Sequence, residues 1–407
     1  MIEDLARDAD PGLVASAGPR YFGFVIGGAL PVAVAADWLS SAWDQNGGGY
    51  AASPSLSVAE EVAGRWVIEL LGLPPESGIG FVTGCQMAHF TCLAAARHAV
   101  LRDAGWDVEA HGLHGAPELR VIASDQAHVT VPVACRMLGL GAQRVRSVPS
   151  DDQGRMVAAE LEAALADGDA PTIVCAQAGD VNSGAFDPIA EIVQLCRGHG
   201  AWCHIDGAFG LWAAVSPTRR ALLAGFEDAD SWATDAHKWL NVPYDCGIAV
   251  VADRAAHRAA MASTSAYIPD HPDDVPWGLD WTPEFSRRAR GVPLYAALRS
   301  LGRRGLTDLV DRCCAHARRL AELLGAADGV EILNDVVLNQ ILVRFDDDDE
   351  VTNQVIERIQ RDGTCWVGGS TFRGSTVMRI SIVGWQTTAA DIDRSAAAIL
   401  GAAGASA

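Results

Sequence analysis

"TDAHKWLNVPYDCG" occupies positions 234–247, and its Lys238 is the only lysine in a chain of 407 residues. All other members of the 31 lysines and arginines are arginine. The two residues are exchangeable as surface charge but not as reagents. A lysine amine can lose its proton near neutral pH and attack a carbonyl to give an imine, whereas a guanidinium stays protonated. The plain alternative is a leftover surface lysine. The setting argues against it. "SWATD" (231–235) reads as a strand and "GIAVVA" (247–252) as the next. Lys238 lies in the turn between them, among aromatic and turn-forming residues, not on an exposed polar helix.

The same rhythm extends upstream. "GFVT" (80–83), "LRVIAS" (119–124), "RVRSVP" (144–149), "TIVCAQ" (172–177) and "AWCHID" (201–206) are further short strand-like runs. Helical stretches near 86–102 and 127–138 fall among them. Strands alternating with helices predict an α/β fold, with a mostly parallel seven-stranded sheet covered on both faces. Three parts follow: an N-terminal helical segment (1–75), a large sheet domain (76–290) and a smaller C-terminal α+β domain (291–407). The last opens on a long helical stretch and holds strands at "NQILVRF" and "TVMRISIV". Ser57 with Glu60 three residues later reads as a capping box opening a helix that ends at Pro74 and Pro75.

Composition narrows the class. Hydrophobic content of 49% and charged content of 20% describe a globular chain. A formal charge of −20 repels nucleic acid and anionic lipid, so neither is an expected partner. The ten cysteines form no CxxC pair and read as small buried residues of a reducing compartment, the cytoplasm. The acidic N-terminus is unlike a secretory signal, and the longest uncharged stretch, Tyr21 to Ala36, is too short for a membrane span. The acidic run Asp346 to Glu350 reads as a solvated turn, without the spacing of a calcium loop.

A sheet of this kind binds ligands at the carboxyl ends of its strands. Neither GxGxxG after a strand nor GxxxxGK[ST] is present, so dinucleotide and nucleotide signals are missing. Pyridoxal phosphate (PLP) requires an imine-forming amine, a carboxylate for its ring nitrogen and donors for its phosphate. Lys238 offers the first. Asp206, closing "HID" at a strand end, offers the second; the alternative is a capping aspartate. Gly84, at the strand-to-helix junction of "VTGCQMAHF", offers a helix N-terminus for the third, though many such junctions bind nothing.

With these pieces placed, "SDQAH", "HIDGAF", "DAHKWLNVPYDCG" and "SRRAR", in this order along the chain, resemble the group II PLP-dependent amino-acid decarboxylases. This family includes the aromatic-amino-acid decarboxylases and has the aspartate-aminotransferase-like fold (fold type I). The resemblance runs from about Arg20 to the C-terminus. It implies that Lys238 carries the coenzyme as an imine, Asp206 pairs with the ring nitrogen, Ala208 packs beneath the ring and His128 covers the other face. It implies a phosphate cradle of Thr83, Gly84, Cys85 and Gln86 with help from His237. Ser286 would reach the phosphate of a second subunit in a homodimer, and Tyr267 would protonate the substrate carbon. Metal ions have no part in this scheme.

Some positions depart from the pattern. Gln86 and Met87 replace the serine and glutamate of related phosphate loops. Asp235 stands where aromatic-amino-acid decarboxylases have asparagine, and it would repel phosphate unless turned away or neutralised. The expected reaction is α-decarboxylation of an L-amino acid to an amine and CO2. The alternatives are other PLP outcomes (oxidative deamination to an aldehyde, transamination, carbon–carbon cleavage) or a non-catalytic homologue. Trp43 and "YAASPS" (50–55) are candidates for substrate contact. Trp43, Trp277, Trp281 and Trp385 read as core in preference to an aromatic pocket, and Arg379 as structural in preference to a carboxylate clamp.

Overall fold

The computed structural model describes residues 1–404 except 264, 267, 269, 270, 273 and 274. Seven strands form the main sheet: β1 (Gly78–Val82), β2 (Arg120–Ser124), β3 (Val145–Val148), β4 (Thr172–Gln177), β5 (Trp202–Asp206), β6 (Ser231–Asp235) and β7 (Gly247–Val251). Their order is β1-β7-β6-β5-β4-β2-β3. Only β7 runs against the rest, pairing antiparallel with both β1 and β6. The reason lies in the quoted stretch. Residues 236–246 are too few to hold a crossover helix, so the chain returns beside β6 in the opposite sense.

The apolar runs are continuous because both faces of the sheet are covered. Ile173, Cys175, Val121, Ala123, Ala233 and Ala249 face the helix Cys85–Asp103, whose Ala88, Cys92, Ala95 and Ala96 let it lie close to the sheet. Val174, Ala176, Ile122, Ile205, Trp232, Ile248 and Val250 point the other way, into a cluster reaching from Phe22 to Leu400. Each fully buried Val or Ile side chain contributes ~1.5–3 kcal/mol, so two such faces fix the strand register firmly. All ten cysteines are buried and free. Among the described residues no helix is long and apolar enough to cross a membrane.

Beyond the main sheet, β8 (Val330–Ile332), β9 (Gln340–Phe345), β10 (Gly368–Phe372) and β11 (Ser375–Ser381) form an antiparallel sheet ordered β10-β11-β9-β8. The sequence pattern predicts β9 and β11 only; β8 is three residues long and β10 reads "GGSTF". The long helix Gly291–Gly325 is two helices meeting at Gly302, whose φ of 60° and ψ of 179° leave the helical region. The acidic run is a turn that becomes a cap: Asp348 accepts from the N–H groups of Glu350 and Val351 at the start of helix Asp349–Asp362.

The expected capping box does not form. The helix begins at Pro54, a residue suited to a first turn because it has no N–H to satisfy. Ser57 and Glu60 are buried inside it. Glu60 instead accepts two hydrogen bonds from the Arg287 guanidinium, at 3.0 and 2.7 Å, and one from Gly291 N–H at 2.9 Å. The local motif was satisfied across the fold and not along the helix.

Candidate active site

The pairing register collects the predicted residues on one edge. Val82 and Asp235 both stand opposite Gly247, so the ends of β1 and β6 flank the start of β7. Asp206 ends β5 and Gln177 ends β4, on the same edge. A Cβ at Gly247 would come within 2.4 Å of the Gly84 carbonyl carbon. Only glycine permits this approach, and through it the loop Thr83–Gly84 and the first turn of helix Cys85–Asp103 settle against the lysine turn.

Asp235 is the hub of that contact. Its Oδ1 accepts the Cys85 N–H, the first of the helix, at 2.6 Å, and its Oδ2 lies 3.0 Å from Lys238 Nζ. His237 Nδ1 accepts the Cys246 N–H at 3.2 Å, which leaves Nε2 to carry the ring proton; Nε2 stands 3.6 Å from Asp235. Burial pulls the His237 ring below its ordinary range. Burial also pulls on the Lys238 amine, but Asp235, with Cys85 and Asp206 adding to it, holds the ammonium above the ordinary lysine value. In this structure the Asp235 charge is met by the Lys238 ammonium and by the helix N-terminus. Asn241, which the sequence reading passed over, locks the turn. Its side-chain N–H groups reach the carbonyls of Lys238 (2.9 Å), Trp239 (3.2 Å) and Val383 (2.9 Å), and its oxygen accepts the Trp385 N–H at 2.7 Å.

Asp206 is set differently. Its Oδ1 accepts the Ala208 N–H at 3.1 Å, and its Oδ2 lies 3.4 Å from His89 Nε2. No lysine or arginine among the described residues pairs with it. Burial would raise this carboxyl, yet the neighbouring His89, His128 and Lys238 groups hold it well below the usual carboxylate range. Cys85 Sγ approaches Asp206 Oδ1 at 3.9 Å and His89 Nε2 at 3.5 Å. These are metal-ligand atom types within 4.8 Å of one another. Burial, with Asp235 and Asp206 adding to it, pushes the Cys85 thiol well above its ordinary range.

His128 follows β2 and is half-buried. Its backbone N–H donates to Gln177 Oε1 at 3.3 Å, and its Nδ1 meets Thr130 Oγ1 at 2.8 Å. Burial lowers its ring; Asp206 opposes that, and Lys238, His89 and Arg379 reinforce it. The edge therefore brings together Lys238, His237, Asp235, Asp206, Ala208, His128, Thr83, Gly84, Cys85 and Gln86.

The conserved domain of the pyridoxal-dependent decarboxylases matches residues 1–346 of this sequence. The chain belongs to that family. Tryptophan decarboxylase 1 of Oryza sativa subsp. japonica is 30% identical over 414 residues, covering 94% of this chain and 79% of that protein. The acidic amino acid decarboxylase of Bos taurus is 30% identical over 323 residues, covering 77% of this chain and 61% of that protein. The crystal structure of Oryza sativa TDC with PLP and tryptamine matches with a TM-score of 0.92 at 26% identity, over 99% of this chain and 87% of that one. This pyridoxal-dependent decarboxylase is accordingly a PLP-dependent carboxy-lyase of amino-acid metabolism.

The donor set of the decarboxylase suits its coenzyme. A primary amine, one-fifth exposed, stands on the same edge as a buried ionised carboxylate that lacks a cation. The remaining sequence candidates lie elsewhere. Ser286 is exposed and lines an open cleft of about 560 Å3 with Ser40, Asn46 and Arg288, away from Lys238. Tyr267 lies outside the described residues. Trp43 is 51% exposed, so it is neither core nor pocket wall within one chain. Trp277 is buried against His271, and Trp385 is tied by its indole N–H to the Ala29 carbonyl at 3.0 Å. Arg379 makes no hydrogen bond or ion pair among the described residues, although its charge acts on Asp180 and His128.

Proposed function

We propose that this chain decarboxylates an L-amino acid at Cα, releasing CO2 and an amine. The reading is carried by one observation: Asp206 is a buried carboxylate without a cation, in electrostatic reach of the only lysine in the chain. When bound, PLP supplies the electron sink that accepts the pair left at Cα as the carboxylate departs.

Each residue has a separate task. Lys238 is the amine that attaches the coenzyme and gives way to the substrate amine. Asp206 holds the proton on the ring nitrogen. Ala208 and His128 enclose the ring on its two faces and keep water from it. Thr83, Gly84 and Gln86, at the N-terminus of a helix, would hold the phosphate together with His237, while the Cys85 N–H is held by Asp235. Arg379 steers the substrate carboxylate toward His128. Tyr267 returns a proton to Cα. A homodimer is supported by the exposed Val32, Trp38, Leu39 and Trp43 of the helix Pro31–Trp43, which leave a large apolar row to cover, and Ser286 completes the site of the second copy.

The test is a panel of L-amino acids, including tryptophan, tyrosine, glutamate and cysteine sulfinate, incubated with the PLP-loaded protein. Amine and CO2 should appear in equal amounts with at least one of them. Absence of amine from every member would overturn the reading. Aldehyde with peroxide and ammonia in place of amine would redirect it to oxidative chemistry.

A further inference from the structure

Behind Asp206 a file of buried polar groups leads away from the coenzyme site, and the proposed reaction makes no use of it. Trp202 Nε1 donates to Ser231 Oγ at 2.9 Å, and Ser231 Oγ lies 2.9 Å from His204 Nδ1. His204 Nε2 lies 2.9 Å from His89 Nδ1, and His89 Nε2 lies 3.4 Å from Asp206 Oδ2. His89, His204 and Ser231 are wholly buried. The file joins helix Cys85–Asp103 to β5 and β6. Buried polar groups persist at low cost only when every donor and acceptor is used.

Counting protons gives the file a direction. An indole N–H only donates, and an ionised carboxylate only accepts. Burial pushes His204 down to about 3, so it carries a single ring proton. Two arrangements remain. In the first, Ser231 donates to His204 Nδ1, His204 Nε2–H donates to His89 Nδ1, and His89 Nε2–H donates to Asp206. Every hydrogen is used and His89 is neutral. In the second, His89 carries two protons and the bonds beyond it reverse. Ser231 Oγ then accepts from Trp202, the His204 ring N–H is shared between that oxygen and the Ser231 backbone, and the hydroxyl proton has no acceptor within the file. The first arrangement is the satisfied one.

A neutral donor steadies a carboxylate without cancelling its charge, whereas an imidazolium would compete for that charge with the incoming ring. We propose that His89, held as a neutral Nε2–H donor by His204, Ser231 and Trp202, is a positioning residue that keeps Asp206 ionised and aimed at the coenzyme's ring nitrogen. The inference rests on Asp206 meeting that nitrogen, as proposed above. The groups that face His89 are Cys85 on its own helix and Asp206 and His204 on β5; His128 and Lys238 act on the same carboxylate.

The experiment has two readouts besides turnover: the dissociation constant of PLP from the stripped protein, and the pH at which the visible absorption of the loaded protein changes as the ring nitrogen loses its proton. His89→Leu should weaken PLP binding roughly tenfold to a hundredfold and move the absorption change to lower pH, the loss expected for one hydrogen bond to a buried charge. His89→Gln, whose amide N–H can still reach the carboxylate, should recover most of both. Ser231→Ala, on the far side of the sheet from the ring, should move the absorption change in the same direction by less. Asp206→Asn is the control. If it leaves the absorption unchanged, the assignment of Asp206 itself fails. If it alters the absorption while His89→Leu matches wild type, or His89→Gln is no better than His89→Leu, the relay is wrong. Should His89→Leu not fold, an unshifted Ser231→Ala variant refutes the relay and a shifted one sustains it.

Discussion

Asp206 and Asp235 end neighbouring parallel strands, and both are buried, yet they are finished in opposite ways. Asp235 has a full cation at 3.0 Å and a helix N–H at 2.6 Å. Asp206 has an imidazole, a backbone amide and a distant thiol. One carboxylate is electrically complete and the other is not. His89, His128 and Lys238 keep Asp206 ionised, but no lysine or arginine among the described residues pairs with it, which under the proposed function leaves its carboxylate to a cationic ligand. A protonated pyridine ring is such a cation. The contrast also shows what attachment asks of Lys238: its charge must disappear next to Asp235, which then keeps only the helix N-terminus and His237.

Four substitutions would break or sharpen this contrast. The largest effect belongs to Lys238→Arg, which keeps the charge beside Asp235 and removes the reagent. Turnover should fall to background, and borohydride should fix no coenzyme to the chain; retained turnover would dismantle the scheme. Next comes Asp206→Asn, which removes the charge meant for the ring. PLP should bind about 10²–10³-fold more weakly, the range for losing one partner of a buried pair, as measured by equilibrium dialysis. Gly247→Ala forces a methyl into the Gly84 carbonyl and should disturb the Asp235 side alone. A melting curve should show a loss of ~1–3 kcal/mol, with the ring-nitrogen titration unmoved. The smallest effect is that of Asp235→Asn. Attachment needs the neutral amine, and Asp235 holds the Lys238 amine above its ordinary value against the pull of burial. Attachment in the wild type should therefore speed up as pH rises. Without the carboxylate, burial is opposed only by the weaker pull of Cys85 and Asp206, and the rate profile should move about 1–3 units toward lower pH. An unmoved profile would mean that Asp235 does not govern the amine.

Much of the fold was legible because a sheet covered on both faces writes its inner strands as apolar runs, and all seven strand-like runs became strands, the edge strand β3 with its arginines included. The lysine was legible because the rest of the chain uses arginine. What escaped the sequence depended on distant partners. Ser57 and Glu60 have the spacing of a capping box, but Arg287 claims the glutamate from 227 residues away. His89 and His204 drew no reading from the sequence. The one local hint was spacing: His204 stands two before Asp206 on the same strand, and His89 one helical turn after Cys85. Trp43 reads as core because large aromatic residues are usually inside, and nothing local announces a face awaiting a second surface. β10 carries two glycines and a polar centre, and it pairs only because β11 offers an edge.

The lone lysine also gives the molecule a built-in reporter. A protease that cuts only after lysine has one target in the denatured chain and would yield the pieces 1–238 and 239–407. Borohydride-fixed coenzyme at that nitrogen would shield the bond. The fraction of protein left whole on a denaturing gel would then read out occupancy, with no substrate, chromophore or assay of turnover required.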